Sequence, residues 1–231
     1  MTTTLITGAN KGLGYETARQ LIGLGHTVYV GSRDTGRGQK AAADLGGRLL
    51  LVDVTSDASV AAAAARVRDE AGHLDVLVNN AAIPGGFRPA GETTAADLAA
   101  VYGTNVFGVV RVMHAFLPLL ELSAAPVVVN VSSGLGSLAV TTDPSRFEST
   151  LKGLAYPSSK SALNMLTSQY AKSYPRLRIN AVDPGYTATD LNGHRGTQTI
   201  PEGAEVIVAM ATAAPDGPTG TFRDARGPVP W

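Results

Sequence analysis

Tyr156 and Lys160 stand four residues apart in the run Tyr156-Pro157-Ser158-Ser159-Lys160, where apolar residues begin to recur at helical spacing. Pro157 suits the first turn of a helix, where a missing N–H loses no hydrogen bond. One helical turn separates the pair, so a phenol and an ammonium leave the same face. A cation held there favours the phenolate and draws a pKa that starts near ~10 towards the range of an acid–base catalyst. The same spacing occurs on ordinary amphipathic helix surface, so the pair takes its meaning from its companions.

The elements that must position it alternate along the chain. Residues 3–7 read as a short strand, and residues 13–24 carry a helical stripe of Leu13, Thr17, Leu21 and Leu24. Between them lies Thr7-Gly8-Ala9-Asn10-Lys11-Gly12-Leu13-Gly14. A glycine-rich turn between strand and helix is where a dinucleotide pyrophosphate meets exposed backbone N–H groups, although a plain strand-turn-helix would use glycines too. Further strands are expected at residues 26–31, 48–53, 74–79, 126–132 and 177–183, with a last short one near 220–223. Helices are expected at 35–45, 56–71, 93–120, 157–173 and 201–212. The strands are near-continuous Val/Leu runs, as strands covered on both faces are. The expected fold class is α/β: one Rossmann-type, doubly wound parallel sheet of about seven strands with helices on both faces. No repeat, low-complexity segment or linker divides the 231 residues, so a single domain over 1–231 is expected.

Composition excludes several classes. Lys plus Arg equals Asp plus Glu at 19 each, which leaves no basic field for nucleic acid. No run of 18 apolar residues suggests a membrane partner. The absence of cysteine rules out disulfides and thiolate metal sites, and no metal is expected. The first strand begins within a few residues of Met1, so a cytoplasmic protein without a signal peptide is expected.

Taken in order, Thr-Gly-x-x-x-Gly-x-Gly (Thr7 to Gly14), Asn79-Asn80-Ala81-Ala82, Asn105, Ser133, Tyr156-x-x-x-Lys160 and Asp183-Pro184-Gly185-Tyr186-Thr187-Ala188-Thr189 resemble the short-chain dehydrogenase/reductase family. The resemblance runs from residue 2 to about residue 210. It implies a catalytic set of Asn105, Ser133, Tyr156 and Lys160. Tyr156 would give or take the proton at the substrate oxygen, and Ser133 would hydrogen-bond that oxygen. Lys160 would lower the tyrosine pKa and hold the nicotinamide ribose, and Asn105 would anchor a proton-relay water. The family motif matches Ser133 rather than Ser132, and strand alternation turns the two serines to opposite faces.

The cofactor set that the resemblance implies is Gly8, Asn10, Lys11, Gly12, Leu13, Gly14, Asn80, Ala81, Tyr156, Lys160, Pro184, Gly185, Thr187 and Thr189, with Asp53 and Val54 like the pair that holds the adenine. The end of the second strand reads Gly31-Ser32-Arg33-Asp34. An arginine there accommodates the 2′-phosphate of NADP, whereas a carboxylate binds the ribose of NAD. Arg33 comes first, and Lys11 is a second cation able to reach the same phosphate. NADP(H) is therefore the expected cofactor and NAD(H) the lesser one, the alternative being Asp34 as ribose ligand with Arg33 a surface charge.

Two departures from the family pattern stand out. Ala82 replaces the glycine of Asn-Asn-Ala-Gly, and residues 138–148 lengthen the segment between Ser133 and Tyr156. The insertion resembles carbonyl-reductase-like members and implies a monomer rather than a homodimer or homotetramer. The pocket rim is expected from Ile83, Pro84, Phe87, Leu135 and residues 186–200, an apolar-leaning set that suits a carbonyl or alcohol substrate on a hydrophobic body. His194 and Arg195 read as solvated loop charges, the alternative being contact with a polar or anionic substrate group. The expected activity is an NADPH-dependent carbonyl reductase, with an NADP(H)-sensing regulator on the same fold as the alternative.

Overall fold

The computed structural model describes residues 2–86 and 88–231; Phe87, expected on the pocket rim, lies outside them. Among the described residues, eight strands form one sheet in the order β3-β2-β1-β4-β5-β6-β7-β8. These are β1 (Thr3–Ile6), β2 (Thr27–Ser32), β3 (Arg48–Leu51), β4 (Val76–Asn79), β5 (Val127–Val131), β6 (Arg178–Val182), β7 (Phe222–Asp224) and β8 (Gly227–Pro228). The first seven run parallel. The eighth, beyond the seven expected, pairs antiparallel with β7, Asp224 facing Gly227. Its tight turn closes because Asp224 Oδ1 accepts the amides of Arg226 and Gly227 at 2.7 and 3.0 Å.

Side-chain alternation along the strands builds two cores. Leu5, Leu77 and Val128 face one side with Val112, Phe116 and Leu163. Ile6, Val78 and Val129 face the other with Leu21, Ile207 and Met210. The first face is covered by α3 (Asp57–Ala71), α5 (Gly108–Leu120) and α7 (Ala155–Ser173), the second by α1 (Gly12–Gly23), α2 (Thr35–Leu45) and α8 (Ile200–Ala211). Phe116 is fully buried, and truncating such a ring to alanine costs about 3–5 kcal/mol.

Local chemistry sets the helix starts. Asp34 caps α2 by accepting the Arg37 amide at 2.8 Å. Thr94 and Asp97 form a capping box on α4 (Ala95–Tyr102), as Thr199 and Glu202 do on α8. The helix expected over 93–120 is interrupted by a π-helical turn at Gly103–Phe107, between α4 and α5. A turn of this kind leaves composition and mean hydropathy unchanged, so a continuous apolar stretch does not reveal it. Together α4, the π turn and α5 make a stretch, Ala95–Leu120, long and apolar enough to cross a membrane; 56% of its most apolar window is buried inside the protein. Helix α7 begins at Ala155, two residues before the expected start, which puts Tyr156 in its first turn. The insertion folds as α6 (Leu138–Thr142) between 3-10 turns at Gly134–Gly136 and Phe147–Thr150. Trp231 stacks on Phe222 with centroids 5.7 Å apart, and the Ser137 hydroxyl donates to the Pro230 carbonyl at 2.7 Å.

Candidate active site

The strand order reverses between β1 and β4, so the crossovers leave in opposite directions and a crevice opens at the carboxyl ends of the strands. A groove of about 510 Å³ lies there. Of the residues expected to hold a cofactor, Gly8, Asn10, Lys11, Gly12, Leu13, Arg33, Asp53, Val54, Asn80, Ala81, Tyr156, Lys160 and Thr189 line it. Beside it is a second cavity of about 490 Å³ that includes Ser133, Leu135, Phe147, Glu148, Asp183, Gly185, Tyr186 and Thr187 in its wall. Tyr156 lines both.

The glycine turn is fastened to β4. Asn80 Nδ2 donates to the carbonyls of Thr7 and Gly8 at 2.9 and 3.1 Å. The Thr7 hydroxyl accepts the amides of Asn80 and Ala81 at 3.0 and 3.1 Å. Gly8 has φ +66°, and a Cβ on Gly14 would come within 2.5 Å of Asn80 Nδ2. Gly14 therefore serves by letting the helix approach the turn, not by lining the groove. Helix α1 has no side-chain cap and no acidic residue in its first turn. Its terminal N–H groups open onto the groove, as an anionic pyrophosphate requires. This donor set fits a dinucleotide.

At the far end of the groove, Arg33 lies near enough to Asp53 to help lower its pKa, although the largest cause is the Thr55 hydroxyl, which donates at 2.7 Å. Asp34 is occupied as the α2 cap and pairs with Arg37 at 3.0 Å. Arg37 lines the same groove end and was missed in the sequence, where its place one helical turn into α2 was the available signal. Lys11, expected beside Arg33, instead pairs with Asp190 at 2.6 Å across the groove mouth. The segment after Thr189 crosses above the glycine turn, a tertiary approach invisible in the sequence. His194 also joins Asp190, at 2.8 Å, and Arg195 donates to the Asn192 carbonyl at 3.0 Å. Both residues are mostly exposed, as expected.

The catalytic candidates converge from three elements. β5 ends at Val131, and Ser132 turns to α7, donating to Asn164 Oδ1 at 2.6 Å. Ser133 turns to the second cavity and to Tyr156, as the alternation predicts. Asn105 sits in the π turn, 1% exposed and outside both cavity walls. Its amide bonds the Ile83 N–H and C=O at 2.9 and 3.0 Å and donates to the Ser159 hydroxyl at 3.1 Å. Asn105 thus clamps the loop after β4 to α7. Pro184 lines neither cavity, and the Thr187 hydroxyl donates to the Pro184 carbonyl at 2.9 Å.

Burial sets the electrostatics of the Tyr156–Lys160 pair. The Tyr156 phenol is held above its ordinary pKa, first by burial and then by the charge of Asp183, with Ser133 pulling the other way. Lys160 stands one helical turn further along α7. Its ammonium donates to the Val131 carbonyl at 2.8 Å and stands 5.5 Å from the centre of the tyrosine ring. Burial draws Lys160 down to about 8. Helical spacing brings the two side chains to one face, but the depth of that face decides which form each prefers.

An eight-stranded, mainly parallel sheet with such a crevice defines a dinucleotide-binding type of α/β fold. The profile of the short chain dehydrogenase family matches residues 2–199, and the chain belongs to that family of nicotinamide-using oxidoreductases. It is 34% identical to the (-)-isopiperitenone reductase of Mentha piperita over 94% of each chain. The structure of salutaridine reductase from Papaver somniferum superposes with TM-score 0.85 at 28% identity, covering 96% of this chain and 99% of that one. The NADPH-bound carbonyl reductase from chicken fatty liver superposes with TM-score 0.88 at 27% identity, covering 100% and 99%.

Proposed function

We propose that this chain is an NADPH-dependent carbonyl reductase that works as one monomeric domain over residues 1–231 on aldehydes or ketones with a hydrophobic body. One observation carries the reading: Tyr156 lies where the groove and the second cavity meet, with Ser133 beside it. Bound nicotinamide supplies hydride to the carbonyl carbon. As charge develops on the substrate oxygen, Ser133 hydrogen-bonds it and Tyr156 gives it a proton. The raised phenol pKa keeps that proton in place beforehand, which is the form reduction needs. Lys160 and Asn105 act behind the tyrosine, the first as a buried cation for the ribose hydroxyls, the second through the loop and helix it joins. The carbonyl reductase among the similar structures supports the substrate class, and the NADPH bound to it supports the cofactor. The insertion before α7 supports the monomer, and the described chain is consistent with a cytoplasmic enzyme.

Arg33 and Arg37 together make the 2′-phosphate end of the proposed site. The test is oxidation of NADPH and NADH against a panel of aldehydes, ketones and diones, with Tyr156→Phe as the inactive control. Turnover with NADPH preferred, abolished in Tyr156→Phe, supports the reductase. Tight NADPH binding with no turnover on any carbonyl favours the sensing protein instead. Arg33→Asp is expected to weaken NADPH by about 10- to 100-fold, the worth of one charged hydrogen bond, and to leave NADH nearly unchanged. Equal loss for both cofactors would remove the 2′-phosphate assignment.

A further inference from the structure

The face of α7 that carries Tyr156 and Lys160 continues one turn further to Asn164. Asparagine is a weak helix former, and a buried amide is costly unless its polar atoms are bonded. Asn164 is 4% exposed, and both ends of its amide engage the turn that carries Ser133. On one side of Ser133, Asn164 Oδ1 accepts the Ser132 hydroxyl at 2.6 Å; on the other, Nδ2 donates to the Gly136 carbonyl at 3.1 Å. The Gly136 amide donates to the Ser133 carbonyl at 2.8 Å, which closes the turn between the two grips. The turn also lies directly on α7, where a Cβ on Gly136 would come within 2.7 Å of the Lys160 carbonyl carbon.

We propose that Asn164 is a positioning residue for the reduction: by holding Ser132 and Gly136 at once, it fixes the Ser133 hydroxyl against the Tyr156 phenol two turns away on the same helix. The proposal rests on the reductase reading for its role in catalysis. Ser133 and Tyr156 must meet one substrate oxygen together, yet they come from different elements, the segment after β5 and the first turn of α7. The Ser133 hydroxyl accepts the Leu135 amide at 3.3 Å, a bond inside the turn that sets its direction but not its place on α7. Lys160 ties β5 to α7 through the Val131 carbonyl at 2.8 Å, before the turn begins. Asn164 joins α7 to both ends of the turn. Without it the Ser132 hydroxyl still has the Lys160 carbonyl at 3.5 Å, but the Gly136 carbonyl loses its side-chain donor and the turn can slide along the helix.

The experiment compares wild type, Asn164→Leu and Ser132→Ala in NADPH-dependent carbonyl reduction. Leucine has a similar size and no polar end. Its kcat is expected to fall by about 10- to 100-fold, the effect of misplacing an orienting group by roughly an ångström. KM for NADPH should stay within about twofold, because Asn164 is not in the wall of the cofactor groove. Ser132→Ala releases one grip and should lower kcat by about 3- to 10-fold. The double variant should lose no more than Asn164→Leu alone, as expected for two groups acting through one tie. A folded Asn164→Leu with wild-type kcat overturns the proposal, since a purely structural amide lowers the melting temperature and leaves kcat alone. Equal loss of kcat and NADPH affinity overturns it too, as general distortion. If Asn164→Leu does not fold, an unchanged kcat in Ser132→Ala has the same force. Crystal structures of wild type and variants read the placement itself, and a Ser133 hydroxyl that stays put overturns the tie. A displaced Ser133 in a protein that reduces no carbonyl keeps the tie and removes the reductase reading.

Discussion

The cofactor groove and the second cavity share Tyr156 yet are built on opposite plans. The groove is built around strand ends and one short turn, with Asn80 and Thr7 spending their side-chain bonds on backbone. The second cavity is walled by the insertion and the loop after β6, where the Phe147 and Tyr186 rings meet at a tilt with centroids 5.8 Å apart while both remain partly exposed. Backbone amides bind a phosphate chain that never varies, so the turn that aims them must be rigid. Side chains on longer loops can be exchanged without disturbing the sheet, which suits the part that selects the substrate.

Three changes would break or sharpen that contrast. The largest expected effect is at Lys160, whose pKa of about 8 in the fold lies below its value of about 10.4 in the unfolded chain. Below pH 8 the fold holds a buried charge at a cost on the order of 3 kcal/mol, and wild-type stability rises as pH climbs from about 8 to about 10.5. Lys160→Met should be more stable than wild type in urea unfolding at neutral pH, should lack that rise, and should be inactive. A variant less stable than wild type would mean that the bond to the Val131 carbonyl outweighs the burial. Next comes Asn80→Ala, expected to cost about 1–3 kcal/mol by freeing the Thr7 and Gly8 carbonyls, and to weaken cofactor binding along with the lower melting temperature. Unchanged cofactor affinity would show that the turn keeps its shape without the fastening. The smallest effect belongs to Phe147→Ala. Its ring is 55% exposed, so stability should change by only about 0.5 kcal/mol, while KM values across a carbonyl panel reorder and NADPH affinity stays constant. A uniform loss of kcat instead would tie the insertion to the chemistry.

The legible parts were those with local causes. Strand and helix positions followed from apolar periodicity, the parallel order from their alternation, and the opposite facing of Ser132 and Ser133 from a two-residue repeat. Less was legible where a residue's partner is distant in sequence. The π turn that seats Asn105, the engagement of Lys11 by Asp190, and the service of Arg37 at the groove end all depend on segments that meet only after folding. The short β8 hairpin escaped notice because two paired residues make no periodic signal.

What the sequence determined by itself is the candidate alphabet of the site and its order: a phenol and an ammonium on one helical turn, a serine after a buried strand, and glycines where a strand passes into a helix. What the tertiary structure decided is the protonation of that alphabet. Burial raises the Tyr156 phenol and lowers Lys160, and Asp183, which follows β6, opens onto the same cavity as Tyr156. Spacing along a helix sets which side chains are neighbours, but desolvation and distant charges set their proton affinities, and those exist only once the sheet and its loops have closed around them.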